Sequence, residues 1–250
     1  MLGVNDIADN GQMVATWSDP HNPTDIVALN AAAPNEIARI TNVNSDEFEY
    51  IELGEVEEIW YESVDGKKVQ GWIVKPPDFD ASKKYPLVLR IHGGPHSMYH
   101  VGFNYNFQLH AAQDQVVLYT NPRGSTGYGY DFANAIQNNY PGDDYHDLMK
   151  CVDEVIARGY IDYNKMYVYG GSGGGVLTSW IVVQTDRILT SIVVAKLVAI
   201  HLQLTIHRNI VGGVSMFNEK SIFHRMMNHI VAHFPVIEDL PIHGSEKLES

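Results

Sequence analysis

The sequence predicts an α/β protein, with a mostly parallel sheet that carries helices on both faces. Three observations lead there. Met166-Tyr167-Val168-Tyr169 is a run of strand formers that passes directly into Gly170-Gly171-Ser172-Gly173-Gly174-Gly175, after which Val176, Leu177 and Trp180 begin a helical spacing. Leu87-Val88-Leu89-Arg90-Ile91 and Gln115-Val116-Val117-Leu118-Tyr119-Thr120 are nearly continuous apolar runs, the pattern of strands buried on both faces. Between them and the Met166 strand, Tyr145, Leu148, Met149, Val152, Val155 and Ile156 recur at spacings of three and four, which gives one helical stripe. Strand, helix and strand alternating in this order build a parallel sheet.

Residues 1 to about 50 read differently, as short strands with polar turns. Gln12–Trp17 ends at Ser18-Asp19-Pro20, and Asp25–Leu29 and Glu36–Ile40 follow at intervals of roughly ten residues. Such a meander with one apolar face closes no core by itself. A hairpin comes next: Glu58–Glu62 and Lys68–Val74 flank Asp65-Gly66, a strong turn signal, and Pro76-Pro77 ends it. Asp143 and Asp144 open the amphipathic helix, where its dipole favours anions, and are read as caps rather than metal ligands; Gly159 closes it.

Composition narrows the function. The 250 residues suit one large domain, or one domain and a fragment, and the 45% hydrophobic content suits a packed core. A net charge of −13 disfavours nucleic acid or an anionic membrane as a partner. Cys151 is the single cysteine; it has no internal disulfide partner and lies inside the predicted helix, so it is a poor nucleophile and a reducing, cytoplasmic location is expected. The amino terminus shows no signal peptide, and the greasy stretch Ile188–Ile206 holds Lys196, His201 and Gln203, which favours a buried strand over a membrane span.

The chemistry gathers around Ser172. Gly-x-Ser-x-Gly between a strand and a helix is a nucleophile elbow, a sharp turn that holds a serine hydroxyl above the end of a parallel sheet. Gly170 and Gly174 let strand and helix backbones approach, and the N–H of Gly173 is placed to face a developing oxyanion at the positive end of the helix. Two phosphate-binding readings fail: a dinucleotide motif needs glycine where Val176 stands, and no Gly-Lys-Ser/Thr follows a glycine loop. His92-Gly93-Gly94-Pro95, after an early central strand, sits where α/β-hydrolases place the second oxyanion N–H. Asn121-Pro122-Arg123-Gly124-Ser125-Thr126-Gly127-Tyr128-Gly129 is a glycine-rich loop expected to turn beside the site. Its Arg123 either binds a substrate carboxylate or carbonyl, or braces the loop through backbone carbonyls.

With those residues assembled, the chain resembles the prolyl oligopeptidase family of serine peptidases, most closely its acylaminoacyl peptidase and dipeptidyl peptidase IV-like members. The resemblance is carried by Glu57/Glu58 with Asp65-Gly66, Tyr85-Pro86, His92–Pro95, Asn121–Gly129, Gly159-Tyr160-Ile161-Asp162 and Gly170–Gly175, in the family's order from about residue 55 to Asp186. It implies an α/β-hydrolase domain over 51–250, incomplete at its carboxyl end, with 1–50 the remnant of the last blade of a propeller. It implies Ser172 as nucleophile and the N–H groups of Gly173 and Gly94 as the oxyanion hole, with no cofactor and no metal. The implied substrates are short or acylated peptides, or small esters.

The tail 187–250 departs from the family. Its acid is expected in a His-Gly-x-x-Asp turn, and the nearest stretch, His243-Gly244-Ser245-Glu246-Lys247, has Lys247 in that place; no position matches the family's histidine. This is the pattern of a chain truncated at both ends or altered in frame. Substitutes are scarce among His201, His207, His224, His229, His233 and His243. Only His243 follows nearby acids, Glu238 and Asp239, in the required order, and Pro241 between Asp239 and His243 interrupts a helix. His229 and His233 have helical metal-ligand spacing, yet Ile230 stands where a zinc hydrolase has glutamate, so they read as surface histidines. Two functions are therefore expected: a serine hydrolase working through a Ser172 acyl-enzyme, or a catalytically impaired derivative or fragment that is at most a binding or interaction module. Exposed sheet edges make homo-oligomerisation or poor solubility the further expectation.

Overall fold

The computed structural model describes residues 1–188 and 190–193. The tail histidines, Glu238, Asp239 and Lys247 all lie outside the described residues.

Two sheets organise the chain. The first is a four-stranded antiparallel meander of β1 (Leu2–Ile7), β2 (Gln12–Trp17), β3 (Asp25–Asn30) and β4 (Ala33–Arg39), paired in chain order. Alternation along β3 points Val27 and Leu29 inward onto Ala15, with Met13 and Trp17 packed around them. This small cluster is all the apolar burial the meander has, in keeping with a unit that closes little core of its own. Strand β1 is not apparent in the sequence: Leu-Gly-Val-Asn-Asp-Ile is mostly exposed and is held by its pairing to β2. A short helix, α1 (Ser45–Phe48), follows β4.

The second sheet has six strands: β5 (Val56–Glu62), β6 (Lys68–Val74), β7 (Tyr85–Ile91), β8 (Val116–Asn121), β9 (Ile161–Gly170) and β10 (Thr190–Val193), in the order β10-β9-β7-β8-β6-β5. Strands β7 to β10 run parallel, whereas β6 pairs antiparallel to β8 and to β5. The sheet is thus mixed, with its parallel part in the centre and at the β10 side. The predicted Asp65-Gly66 turn joins β5 and β6, and both residues have positive φ, 63° and 75°. Strand β9 extends six residues beyond the expected run, because Ile161 already pairs with Tyr85 and Met166 with Leu87.

Helices lie on both faces. Leu87, Leu89, Leu118 and Ile73 face Leu148, Val152, Leu177 and Ile181 of α4 (Asp143–Ala157) and α5 (Gly173–Gln184). Their neighbours Val117, Tyr119, Trp72 and Val74 point the other way, onto Phe107 and Ala111 of α2 (Tyr105–Ala111). A short α3 (Tyr130–Asn134) precedes α4. Period-two alternation in the buried strands thus divides the core into two layers. Gly159, in the left-handed region at φ 88°, follows α4 as its sequence position predicts.

Candidate active site

The site lies at the carboxyl ends of the parallel strands, where two turns meet. The first is the predicted elbow. Ser172 has φ 55° and ψ −120°, a conformation that costs a side-chain-bearing residue on the order of 1–3 kcal/mol and persists only where its surroundings over-determine it. Glycines supply that constraint. A Cβ on Gly170 would lie 2.6 Å from the carbonyl carbon of Gly174; one on Gly174 would lie 2.4 Å from the carbonyl oxygen of Ile91 and 2.7 Å from that of His92. Strand β9, helix α5 and the end of β7 are therefore in backbone contact. Ser172 rides on this contact with its side chain exposed, and its carbonyl starts α5 by accepting from Gly175 N (3.0 Å) and Val176 N (3.2 Å).

The second turn is His92–Pro95, which leaves the end of β7. Gly94 has φ 129°, in the region that favours glycine. A Cβ on Gly93 would meet Ser172 Cβ at 3.4 Å, and one on Gly173 would meet the carbonyl carbon of Gly94 at 3.0 Å. The structure thus brings Ser172, Gly173 and Gly94 together. Among the described residues, the amides of Gly173 and Gly94 have no hydrogen-bond acceptor. The Gly173 amide opens the positive end of a twelve-residue helix. Tyr140, which the sequence reading did not single out, donates its hydroxyl to Gly173 O at 2.7 Å and so holds the peptide that follows that amide. Nothing local in the sequence marks it.

His92 is the histidine beside the site. Burial holds its imidazole below the usual histidine range. Its Nδ1 lies 2.7 Å from Gly93 O, and its Nε2 lies 2.9 Å from Ser125 Oγ, whose own hydrogen goes to Pro122 O at 2.6 Å. Both nitrogens are committed to backbone and loop. Among the described residues, no side chain hydrogen-bonds the Ser172 hydroxyl.

The glycine-rich loop does turn beside the site, but Arg123 does not serve a substrate. It is buried, and its guanidinium is fully engaged elsewhere. Nε and NH2 grip the two oxygens of Asp147 on α4 at 2.9 and 2.8 Å, NH1 reaches Asp143 at 3.1 Å, and NH2 reaches Asp65 at 3.1 Å and Val64 O at 3.3 Å. The partners are carboxylates of the β5–β6 turn and of α4, more than the loop's own carbonyls. Burial pulls the guanidinium pKa down, but Asp147 and Asp65 outweigh it and hold it above the ordinary range. Asp65 is in turn lowered by its bond to Arg123.

The two aspartates at the start of α4 also part company. Asp143 pairs with Arg123. Asp144 is fully buried and accepts from Gly142 N, while its Oδ2 finds no hydrogen-bond partner among the described residues; burial raises its carboxyl to about 7. On the same helix, burial pushes the Cys151 thiol up to about 12, which removes it as a nucleophile. Among the described residues no group of three or more His, Cys, Asp or Glu side chains is placed to hold a metal ion, and no helix is long and apolar enough to cross a membrane.

Known proteins agree with this geometry. The family model for the prolyl oligopeptidase family of peptidases matches residues 101–203. The uncharacterized peptidase YuxL of Bacillus subtilis is 40% identical over 180 residues, 72% of this chain and 27% of that protein. A probable dipeptidyl-peptidase 5 of Emericella nidulans is 33% identical over 182 residues, 70% of this chain and 25% of its own length. The chain therefore spans about a quarter of the length of these relatives. Among solved structures, the acylaminoacyl peptidase of Pyrococcus horikoshii superposes with a TM-score of 0.67 at 26% identity, over 74% of this chain and 29% of that one. An acylaminoacyl peptidase in complex with Z-Gly-Gly-Phe-chloromethyl ketone gives 0.69 at 25% identity, over 76% and 30%. The elbow falls within the residues that the family model matches, and the chain belongs to the prolyl oligopeptidase family.

Proposed function

We propose that this chain is the hydrolase part of a serine-type peptidase acting on short or N-acylated peptides, and on small esters, through an acyl-enzyme on Ser172. The observation that carries the reading is the exposed Ser172 at φ 55°, next to the amides of Gly173 and Gly94. Ser172 Oγ attacks the substrate carbonyl carbon, its proton passing to a base, and the carbonyl oxygen becomes an oxyanion that accepts from the two amides. Collapse of the tetrahedral species expels the amine or alcohol, which takes up the proton. Water then attacks the acyl carbon by the same route and releases the acid. One oxyanion donor is worth on the order of 10²–10³ in rate.

The substrate class is supported by the peptidase names of the relatives. We read the four-stranded meander as blade-like, since propeller blades are four-stranded antiparallel sheets, with the hydrolase domain starting near residue 51. A second reading, an impaired hydrolase kept as a binding module, is favoured by one observation: among the described residues no base contacts Ser172. A fluorophosphonate probe decides between them. The hydrolase reading expects labelling of the wild-type protein and none of Ser172→Ala. Folded wild-type protein that stays unlabelled leaves the binding module standing, and equal labelling of Ser172→Ala removes Ser172 as nucleophile.

A further inference from the structure

The elbow is locked by backbone contacts that also touch the near side of the facing turn, but the rest of that turn is held otherwise. Gly94 lies in a segment, His92 to Tyr99, that leaves the sheet and has no strand neighbour. Its position depends on what ties its ends. The ties come from the last residue of β8 and the loop after it. Asn121 Oδ1 accepts from Tyr99 N at 2.7 Å, and Asn121 Nδ2 donates to Tyr99 O at 3.0 Å. Thr126 N donates to Ser97 O at 2.9 Å, His96 Nδ1 lies 3.0 Å from Gly124 O, and Ser125 Oγ meets His92 Nε2.

We infer that Asn121 is a positioning residue for the oxyanion amide of Gly94; the inference rests on the hydrolase reading above. A carboxamide is the side chain suited to this task. It offers one acceptor and two donors in a plane, and so pairs with both polar groups of one peptide-chain residue, as a neighbouring strand would. Asn121 uses the donors fully, since Nδ2 also reaches Tyr128 Oη at 2.7 Å, and Tyr128 in turn donates to Gln70 on β6. The amide is fully buried, so leaving the Tyr99 N–H and C=O unpaired is costly. Tyr99 then transmits the constraint: its ring packs edge-on against His92 at 5.3 Å and lies 5.1 Å from Tyr119. Both ends of the segment are thereby held to β8, which runs beside β7. Arg123, two residues on from Asn121, fastens that loop to α4 and to the β5–β6 turn. An oxyanion donor works only at hydrogen-bond distance from where the charge develops, and displacement by about 1 Å can cost about 10²-fold.

The test uses Asn121→Ala with Ser125→Ala as a second variant, because the latter cuts a separate tie and removes only one hydroxyl. Two quantities are measured: the second-order rate of fluorophosphonate labelling, and amide hydrogen exchange over residues 92–100. Asn121→Ala is expected to lower the labelling rate about 10- to 100-fold and to speed exchange in that segment, with kcat on an ester falling and KM nearly unchanged. Ser125→Ala is expected to do the same to a smaller degree; should Asn121→Ala fail to fold, Asn121→Asp, which keeps the acceptor to Tyr99 N and loses the donors to Tyr99 O and Tyr128, takes its place with the same expected and overturning results. A folded Asn121→Ala that labels at the wild-type rate overturns the inference, whether or not exchange has risen. Wild-type protein that does not label overturns the hydrolase reading instead, and exchange over 92–100 then decides by itself whether Asn121 holds the segment.

Discussion

The two turns that meet at Ser172 are built on opposite principles. The β9–α5 elbow is held mainly by backbone against backbone: Gly170 and Gly174 bring strand, helix and the end of β7 within contact, with Tyr140 donating to Gly173 O behind them. The segment that carries the other turn, His92 to Tyr99, is held largely by side chains reaching in from elsewhere, Ser125 at His92, Asn121 at Tyr99 and Arg123 one step behind. The elbow therefore fails by steric intrusion, and the facing turn by loss of a polar partner. The contrast also sets what each can tolerate. A steric contact is broken by adding one methyl group, whereas the polar scaffold is broken only by removing an atom that carries a specific hydrogen bond.

The largest effect is expected on the polar side. Arg123→Ala leaves Asp147 buried with its charge uncompensated, and removing one member of a buried ion pair costs about 3–5 kcal/mol. A domain of this size loses roughly 2–4 °C per kcal/mol, so thermal unfolding should fall by about 10 °C. A shift under about 2 °C would show that Asp147 is satisfied by Ser63 and the Arg123 backbone amide alone. Asp144 differs from Asp147, the other fully buried acid on this helix: no cation pairs with it among the described residues, and its burial is met by a raised carboxyl pKa instead.

How much of this was legible in the sequence follows from the same division. The elbow was legible because its determinants are contiguous: strand formers, glycines at fixed offsets and a helical pattern lie within Met166–Trp180. Strands β7 and β8 were legible because burial on both faces leaves a run without polar interruption. The scaffold of the second turn was not. Asp65, Asn121, Arg123 and Asp147 are brought together by sheet order, in which β8 lies between β7 and β6, and no local spacing encodes that. For Arg123 the sequence reading offered substrate binding or loop bracing, and only the positions of three aspartates on two other elements decide it. Helix α2 escaped notice for a different reason: seven residues are too few to show a period, and its cap is a single Asn104 side chain accepting from Phe107 N.

The elbow side is tested by Gly174→Ala. Its new Cβ would sit inside contact distance of two backbone oxygens, those of Ile91 and His92, neither of which can rotate away. Overpacking of this kind costs about 1–3 kcal/mol, and here the strain is delivered to the stretch that carries Gly94. Unfolding should drop by several degrees and fluorophosphonate labelling should be lost. Gly171→Ala is the control for stability: nothing lies within 4 Å of its Cβ, so its melting temperature should stay near wild type. Equal melting of the two variants would remove the steric account of the elbow.

The smallest effect separates strain from contact. If the elbow imposes φ 55° on Ser172 against the preference of a residue with a Cβ, then glycine at that position should relieve it. Glycine also has more unfolded-state entropy to lose, by about 0.5–1 kcal/mol, which offsets part of the gain. Ser172→Gly is thus expected to be more stable by about 1 kcal/mol, a rise of roughly 2–4 °C, while abolishing labelling. Ser172→Ala keeps the Cβ and should show no such rise, so the difference between the two variants isolates the backbone term from loss of the hydroxyl. A Ser172→Gly protein that melts no higher than Ser172→Ala would mean that the surrounding glycines do not force the conformation. The serine would then be held by its own contacts, and the self-supporting elbow would have to be abandoned as the counterpart of the side-chain-braced turn.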